Sequence, residues 1–185
     1  VGARWFKYDN SLEGFFGFSE GYSSSGNSGE ALCDKNFGDG IGVGEPGAAL
    51  PDFQGAPCKN IDQSTDDDDV IWKLNLAYQL TGEALVYATY SEGFRPGGIN
   101  RRGTIPPYDP DYLYNYELGW KTSWLDDRLR FNGALFYQEW EDFQYSILGP
   151  NGLTEVTNAP GNAEIEGLEM DVSWAATEGL GISAG

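Results

Sequence analysis

Four groups of side chains have the types and spacing to do chemistry. Glu139 with Glu141, and Glu164 with Glu166, are carboxylates two residues apart, the residue type that glycoside hydrolysis uses in pairs. Nothing beside either pair would set one member apart as the acid, and on a strand both would share a face, so they read as solvated strand ends. The run Asp66, Asp67, Asp68 and Asp69 supplies the hard oxygen ligands that calcium takes. It lacks the EF-hand's central Gly and terminal Glu, and a solvated charge run just outside a strand is the plainer reading. The chain has no histidine, which removes a Ser-His-Asp triad and any Cys/His zinc site. No catalytic residue is assigned and no enzyme is expected.

Cys33 and Cys58 enclose 24 residues of a Gly-rich segment. A disulfide between them would contribute roughly 3 kcal/mol by loop entropy and would place the segment outside the reducing cytoplasm. The fourth group is cationic. Arg95, Arg101 and Arg102 lie with Asn100, Tyr108 and Asp109 in the stretch FRPGGINRRGTIPPYDPD, where Pro and Gly forbid regular pairing. Neither a P-loop nor a dinucleotide fingerprint is present. Two readings stand side by side: an anion- or ligand-binding loop, and arginines that answer the acidic segment before them.

That acidic segment dominates the charge. Twenty-nine acidic against eleven basic residues give the 185-residue chain a net charge of -18, which argues against nucleic acid and anionic membrane surfaces as partners. Residues 10–69 hold twelve acids against Lys35 and Lys59 and show no sustained period, so they read as one long loop, tethered by the cysteines. No run of eighteen apolar residues offers a membrane-spanning helix. The first residues show no signal-peptide pattern, which leaves export open.

The elements that must position these groups are strands. From Tyr112 to Glu141 the chain reads as two antiparallel strands with Asp126 and Asp127 at the tip. The implied register sets Trp124 beside Leu129, Thr122 beside Phe131, Trp120 beside Gly133, Leu118 beside Leu135 and Tyr116 beside Tyr137 on one face. Glu117, Lys121 and Arg130 fall on the other. A helix would scatter these residues around its circumference instead of dividing them by parity.

Trp72, Leu74, Leu76, Tyr78 and Leu80 alternate with Lys73, Asn75, Ala77 and Gln79. A turn at Thr81-Gly82-Glu83-Ala84 predicts the pairs Leu80 with Leu85, Tyr78 with Tyr87, Leu74 with Ser91 and Trp72 with Gly93. Lys73 then meets Glu92 on the polar face, and Trp72 covers Gly93 as Trp120 covers Gly133. Val1 to Asp9 reads as an earlier strand. The stretches 143–148 and 153–157 should extend two strands beyond the apolar belt. Ala163 to Ala176 alternates again, with Glu169 and Asp171 on its polar face, and a turn at Thr177-Glu178-Gly179 pairs Trp174 with Ile182. By strand direction, every minimal turn lies at one end and every long excursion at the other, the pattern of an outer-membrane barrel.

The phrases LVYATYSEGFRPGGIN (Leu85 to Asn100), YNYELGWKTSWLDDRLRFNGALFYQEWEDFQ (Tyr114 to Gln144) and NAPGNAEIEGLEMDVSW (Asn158 to Trp174) resemble the carboxy-terminal half of TonB-dependent outer-membrane receptors. The resemblance implies an all-β chain: a transmembrane antiparallel β-barrel segment of about six to seven strands from a larger, 22-stranded barrel. Residues 1–185 would be a partial barrel carrying the long extracellular loop 10–69, with the plug domain absent. It also implies a receptor that binds a scarce nutrient such as a ferric siderophore and imports it with energy relayed by TonB, contacted through the missing plug region. Outer-membrane lipid would be the other partner, and no cofactor is implied. Arg95, Asn100, Arg101, Arg102, Tyr108 and Asp109 become extracellular ligand-binding candidates, and Lys73, Glu92, Glu117, Lys121, Arg130, Glu169 and Asp171 become lumen-facing. The alternatives are a passive porin-like outer-membrane channel and a secreted sugar-binding β-sandwich.

Overall fold

Strands account for every regular element among the described residues, which in this computed structural model are 1–16, 61–101, 105–148 and 154–185. In chain order they are β1 (Gly2–Gly14), β2 (Ile61–Thr81), β3 (Ala84–Arg95), β4 (Asp111–Trp124), β5 (Leu129–Glu141), β6 (Gln144–Leu148), β7 (Thr154–Asn158), β8 (Ala163–Thr177) and β9 (Leu180–Ala184). Seven of them form one antiparallel sheet in the order β1-β2-β3-β4-β5-β8-β9, and β6 and β7 form a separate pair. The large sheet is open, with β1 and β9 at its edges. Cys33, Cys58 and Arg102 lie outside the described residues.

The β4–β5 hairpin has the predicted register throughout, from Trp124 opposite Leu129 to Tyr116 opposite Tyr137. Its tip closes with Arg128 N–H donating to the Leu125 carbonyl at 3.2 Å. Asp126 and Asp127 have φ of 52° and 64°, the left-handed values that a tight hairpin turn requires at both central positions. Asp tolerates that region better than most residues. The turn into β9 also holds, with Trp174 opposite Ile182.

The β2–β3 hairpin departs from expectation by one residue. Its turn is the predicted one, with Thr81 opposite Ala84, but a bulge follows between Gln79 and Thr81. Tyr78 therefore pairs with Val86, Leu74 with Tyr90 and Lys73 with Ser91. The extra residue, Leu80, shifts β3 to the opposite parity. The cause lies on the far side of β3. There Val86, Ala88 and Tyr90 meet Trp120, Leu118 and Tyr116 of β4, whereas the unshifted register would have set polar Thr89 and Ser91 on that apolar face. The Gln79 side-chain amide spans the irregularity, donating to the carbonyls of Thr81 and Ala84 at 2.6 and 3.2 Å.

Two expectations fall with that register. Glu92 lies on the face of Tyr116 and Leu118 rather than beside Lys73, so those two do not form a pair lining a bore. Trp72 does not cover Gly93, which has no atom near the place a Cβ would take. Trp120 does lie over Gly133 as predicted. Two further rings do the same on the other face, Tyr87 over Gly119 and Phe136 over Gly167.

The apolar face is uncovered. Leu76 is 74 % exposed, Leu118 57 % and Tyr116 47 %. Among the described residues no second layer of this chain packs over them. A face of this composition in a hydrocarbon solvent needs no covering layer, and the backbone of paired strands satisfies itself internally.

Two other boundaries change. β1 and β2 run well into the segment read as loop, to Gly14 and from Ile61, and they pair along their whole shared length. The run Asp66 to Asp69 is therefore inside a strand, opposite Asp9, Tyr8, Lys7 and Phe6. Strand alternation sends Asp66 and Asp68 to one face and Asp67 and Asp69 to the other, so the four cannot converge on one calcium ion. β6 and β7 pair with each other as expected, but they leave the barrel sheet instead of prolonging β5 and β8. The break is at Asp142, whose φ is 50°.

Candidate functional site: an outer clasp above a polar wall

At the end of the sheet away from the tight turns, β3 finishes on Arg95 and β4 begins on Asp111, paired directly opposite. Asp111 is 1 % exposed. It lies five residues beyond Tyr116, about 16 Å along the strand, and so above the exposed apolar belt. Arg95 Nε donates to both of its carboxylate oxygens at 3.0 and 2.9 Å, and Nη2 completes a forked ion pair. The Gln144 backbone N–H donates to the same carboxylate at 3.0 Å. Arg95 also donates to the Gln144 carbonyl at 3.1 Å and stacks its guanidinium 5.1 Å from the Trp140 ring centre. Burial alone would raise the Asp111 pKa, but the bonds from Arg95 and Gln144 outweigh it and hold the carboxyl below its ordinary value.

From this ion pair, amide side chains fasten three outer segments together. Gln144 Nε2 donates to the carbonyls of Pro96 and Asp109 at 2.9 and 3.0 Å. Asn158 accepts from Asp109 N–H at 2.8 Å and donates to the carbonyls of Asp109 and Asp142 at 2.9 and 2.7 Å. Asn100, 6 % exposed, grips Val156 in both directions: its oxygen accepts Val156 N–H at 2.8 Å and its nitrogen donates to the Val156 carbonyl at 2.9 Å. Gly98 and Tyr108 exchange backbone bonds at 3.0 and 2.9 Å. The Tyr108 ring lies over Gly98 so closely that no Cβ would fit there.

The structure thus puts Arg95, Asn100, Tyr108 and Asp109 together, as the sequence suggests, but engages them with their own chain. Among the described residues, the carboxylate that Arg95 answers is Asp111. Arg101 is exposed beside them. The residues that complete the clasp, Asp111, Trp140, Gln144 and Asn158, were not singled out by sequence. The available signal was their position: Asp111 and Gln144 open strands, Asn158 closes one and Trp140 stands one residue from the end of β5.

Below the clasp, Lys73, Glu117, Lys121, Arg130, Glu169 and Asp171 share the polar face. It is knitted by cross-strand bonds, Tyr87 Oη to Glu117 at 2.6 Å, Asn132 to Asp171 at 3.1 Å, Gln138 to Asn115 at 3.0 Å and Asn75 to Thr89 at 2.7 Å. Lys121 Nζ stands 6.0 Å over the Tyr87 ring.

The family model for the β-barrel of TonB dependent receptor-like proteins matches residues 1–185. The chain is 33 % identical over 120 residues to a pesticin receptor of Yersinia enterocolitica, covering 62 % of this chain and 17 % of that protein. It is likewise 33 % identical over 113 residues to the ferric-pyoverdine 358 receptor of Pseudomonas putida, covering 60 % and 14 %. Among solved structures it superposes on the ferric yersiniabactin uptake receptor of Yersinia pestis with a TM-score of 0.53 and 26 % identity, over 68 % of this chain and 18 % of the other. On the ferric-catecholate import receptor of E. coli the TM-score is 0.57 over 95 % of this chain and 23 % of the other, and the 20 % identity there speaks for the fold alone. The chain spans less than a fifth of the curated relatives it matches. Its open seven-stranded sheet is accordingly an arc of a larger wall, and this chain belongs to the TonB-dependent receptor β-barrel family of the bacterial outer membrane.

Proposed function

We propose that the receptor containing this chain binds a scarce nutrient such as a ferric siderophore at its outer segments and imports it with energy relayed by TonB through a plug region outside this chain. The observation that carries the reading is the asymmetry of the connections. Turns at 81–84, 125–128 and 177–180 are minimal, while the segments between β1 and β2, β3 and β4, and β5 and β8 all lie at the other end. Outer-membrane barrels in general carry their longer loops on one side; here those segments are also bonded into one surface by Arg95, Asn100, Gln144 and Asn158, which suits capture. Family relatives named for ferric pyoverdine and ferric yersiniabactin support the same ligand class.

In this reading Arg101 and the segment 17–60 meet the ligand, and Lys73, Glu117, Lys121, Arg130, Glu169 and Asp171 line the bore. Arg95, Asn100, Tyr108 and Asp109 shape the platform. The test is direct binding of ferric siderophores to the complete receptor. Deleting residues 17–60 and replacing Arg101→Gln should weaken binding about tenfold or more, the worth of a charge-assisted contact. Unchanged affinity in both variants would reject the outer segments as the capture surface.

A further inference from the structure

We propose that residues 96–101 and 105–110, the two described limbs between β3 and β4, act as a strap that couples the outer ends of β1 and β2 mechanically to the β6–β7 hairpin. The need for such a link comes from the sheet itself. The β2–β3 ladder stops at the pair Lys73–Ser91. Beyond it, the Trp72 N–H that would have bonded a β3 carbonyl is taken at 2.9 Å by the Glu92 side chain. Among the described residues, β2 is paired from there to Ile61 with β1 alone, and β6 and β7 are paired with each other alone.

The strap joins what the ladders leave apart. On one side, Gly97 N–H donates to Tyr8 Oη at 3.0 Å, Asn10 Nδ2 donates to the Gly97 carbonyl at 3.3 Å and Gln63 Nε2 donates to the Ile105 carbonyl at 2.8 Å. A Cβ at Gly97 would collide with the Tyr108 carbonyl and with Tyr8, so the approach is close enough to need glycine. On the other side, Asn100 holds Val156, and Gln144 and Asn158 hold Asp109. The two limbs are locked together by the Gly98–Tyr108 exchange. A displacement at β1 therefore reaches β7 through fewer than ten hydrogen-bonded residues, with no step through the barrel wall. Coupling of this kind is reciprocal by thermodynamic necessity, so loosening either end must loosen the other.

The linkage is a property of the fold and stands whichever ligand the receptor takes. It is tested by amide hydrogen exchange on the complete receptor in detergent micelles. Replacing Tyr8→Phe and Asn10→Ala removes both contacts to Gly97, and with the Tyr8 hydroxyl a bond to Thr65 that lies inside the β1–β2 pair. Exchange in 144–148 and 154–158 should then accelerate about threefold or more. Asn100→Ala, made separately, should accelerate 61–70 by a similar factor. Tyr8→Phe alone, which preserves ring packing, gives a smaller effect in the same direction. Acceleration confined to the strap in either experiment overturns the proposal. So does equal acceleration at both ends in Asn75→Ala, which removes a bond in the wall and should leave the outer segments unchanged.

Discussion

The wall and the clasp are held together in different ways. In the wall, each strand is joined to its neighbour by a backbone ladder, bulged in β2–β3 and β8–β9 and continuous between the other neighbours, and the side-chain bonds on its polar face, such as Asn132 with Asp171, connect residues already opposite each other. They add to an assembly that the backbone has made. In the clasp the ladder has ended, and side chains perform the joining: Arg95, Gln144, Asn158 and Asn100 bond backbone groups or a carboxylate 6 to 56 residues away. A wall contact is one of many in parallel. A clasp contact is one of few in series, and at Asp111 and Asn100, the buried members, its loss leaves a polar group unpaired away from water.

Unequal sensitivity to single substitutions should follow. Asp111→Ala should have the largest effect, about 2–4 kcal/mol in denaturant unfolding of the complete receptor. That lies toward the lower side of the usual penalty for breaking a buried ion pair, because Arg95 is half-exposed and regains some water. A cost near zero would mean that the clasp is no more dependent on single groups than the wall. Protonating the same carboxylate is the milder version. Its folded pKa is depressed, so the stabilisation is complete above the unfolded value of about 4 and is lost as pH falls through the folded one. Protease resistance of the outer segments should stay level from pH 8 to about 5 and decline only below about 4. A decline centred near pH 6 would point to a different group.

The smallest effect belongs to the wall. Gly119→Ala places a methyl against the Tyr87 ring, which must lift and release its bond to Glu117. The expected cost is about 1 kcal/mol. A loss as large as that of Asp111→Ala would erase the contrast between the two regions.

What could be read in advance follows the same division. The β4–β5 register was legible because its residues separate by parity around a turn whose two Asp residues accept left-handed backbone. The β2–β3 turn was legible too, yet the register beside it was not. Leu80 is apolar and fits the alternation of β2 whether it pairs or bulges. The choice was made by β4, where Trp120, Leu118 and Tyr116 require Val86, Ala88 and Tyr90 across from them. In the clasp, sequence found Arg95, Asn100, Tyr108 and Asp109 but not their partners. A polar loop residue carries no mark of whether its hydrogen bonds will go to a visitor or to a carbonyl 56 residues downstream, as they do from Asn100 to Val156. Cys33, Cys58 and Arg102 belong to stretches outside the described residues.

The unequal length of β2 has a consequence for how charge is distributed around the receptor. Twelve of its residues, 61–72, continue past the last rung shared with β3, a stalk about 40 Å in contour. Five carboxylates, Asp62 and Asp66 to Asp69, are carried on that stalk, from about one to about four screening lengths above its base at physiological salt. Charge around the receptor is therefore graded along one strand: the lowest of these carboxylates feel whatever surrounds the base, and the one at the far end is screened from it.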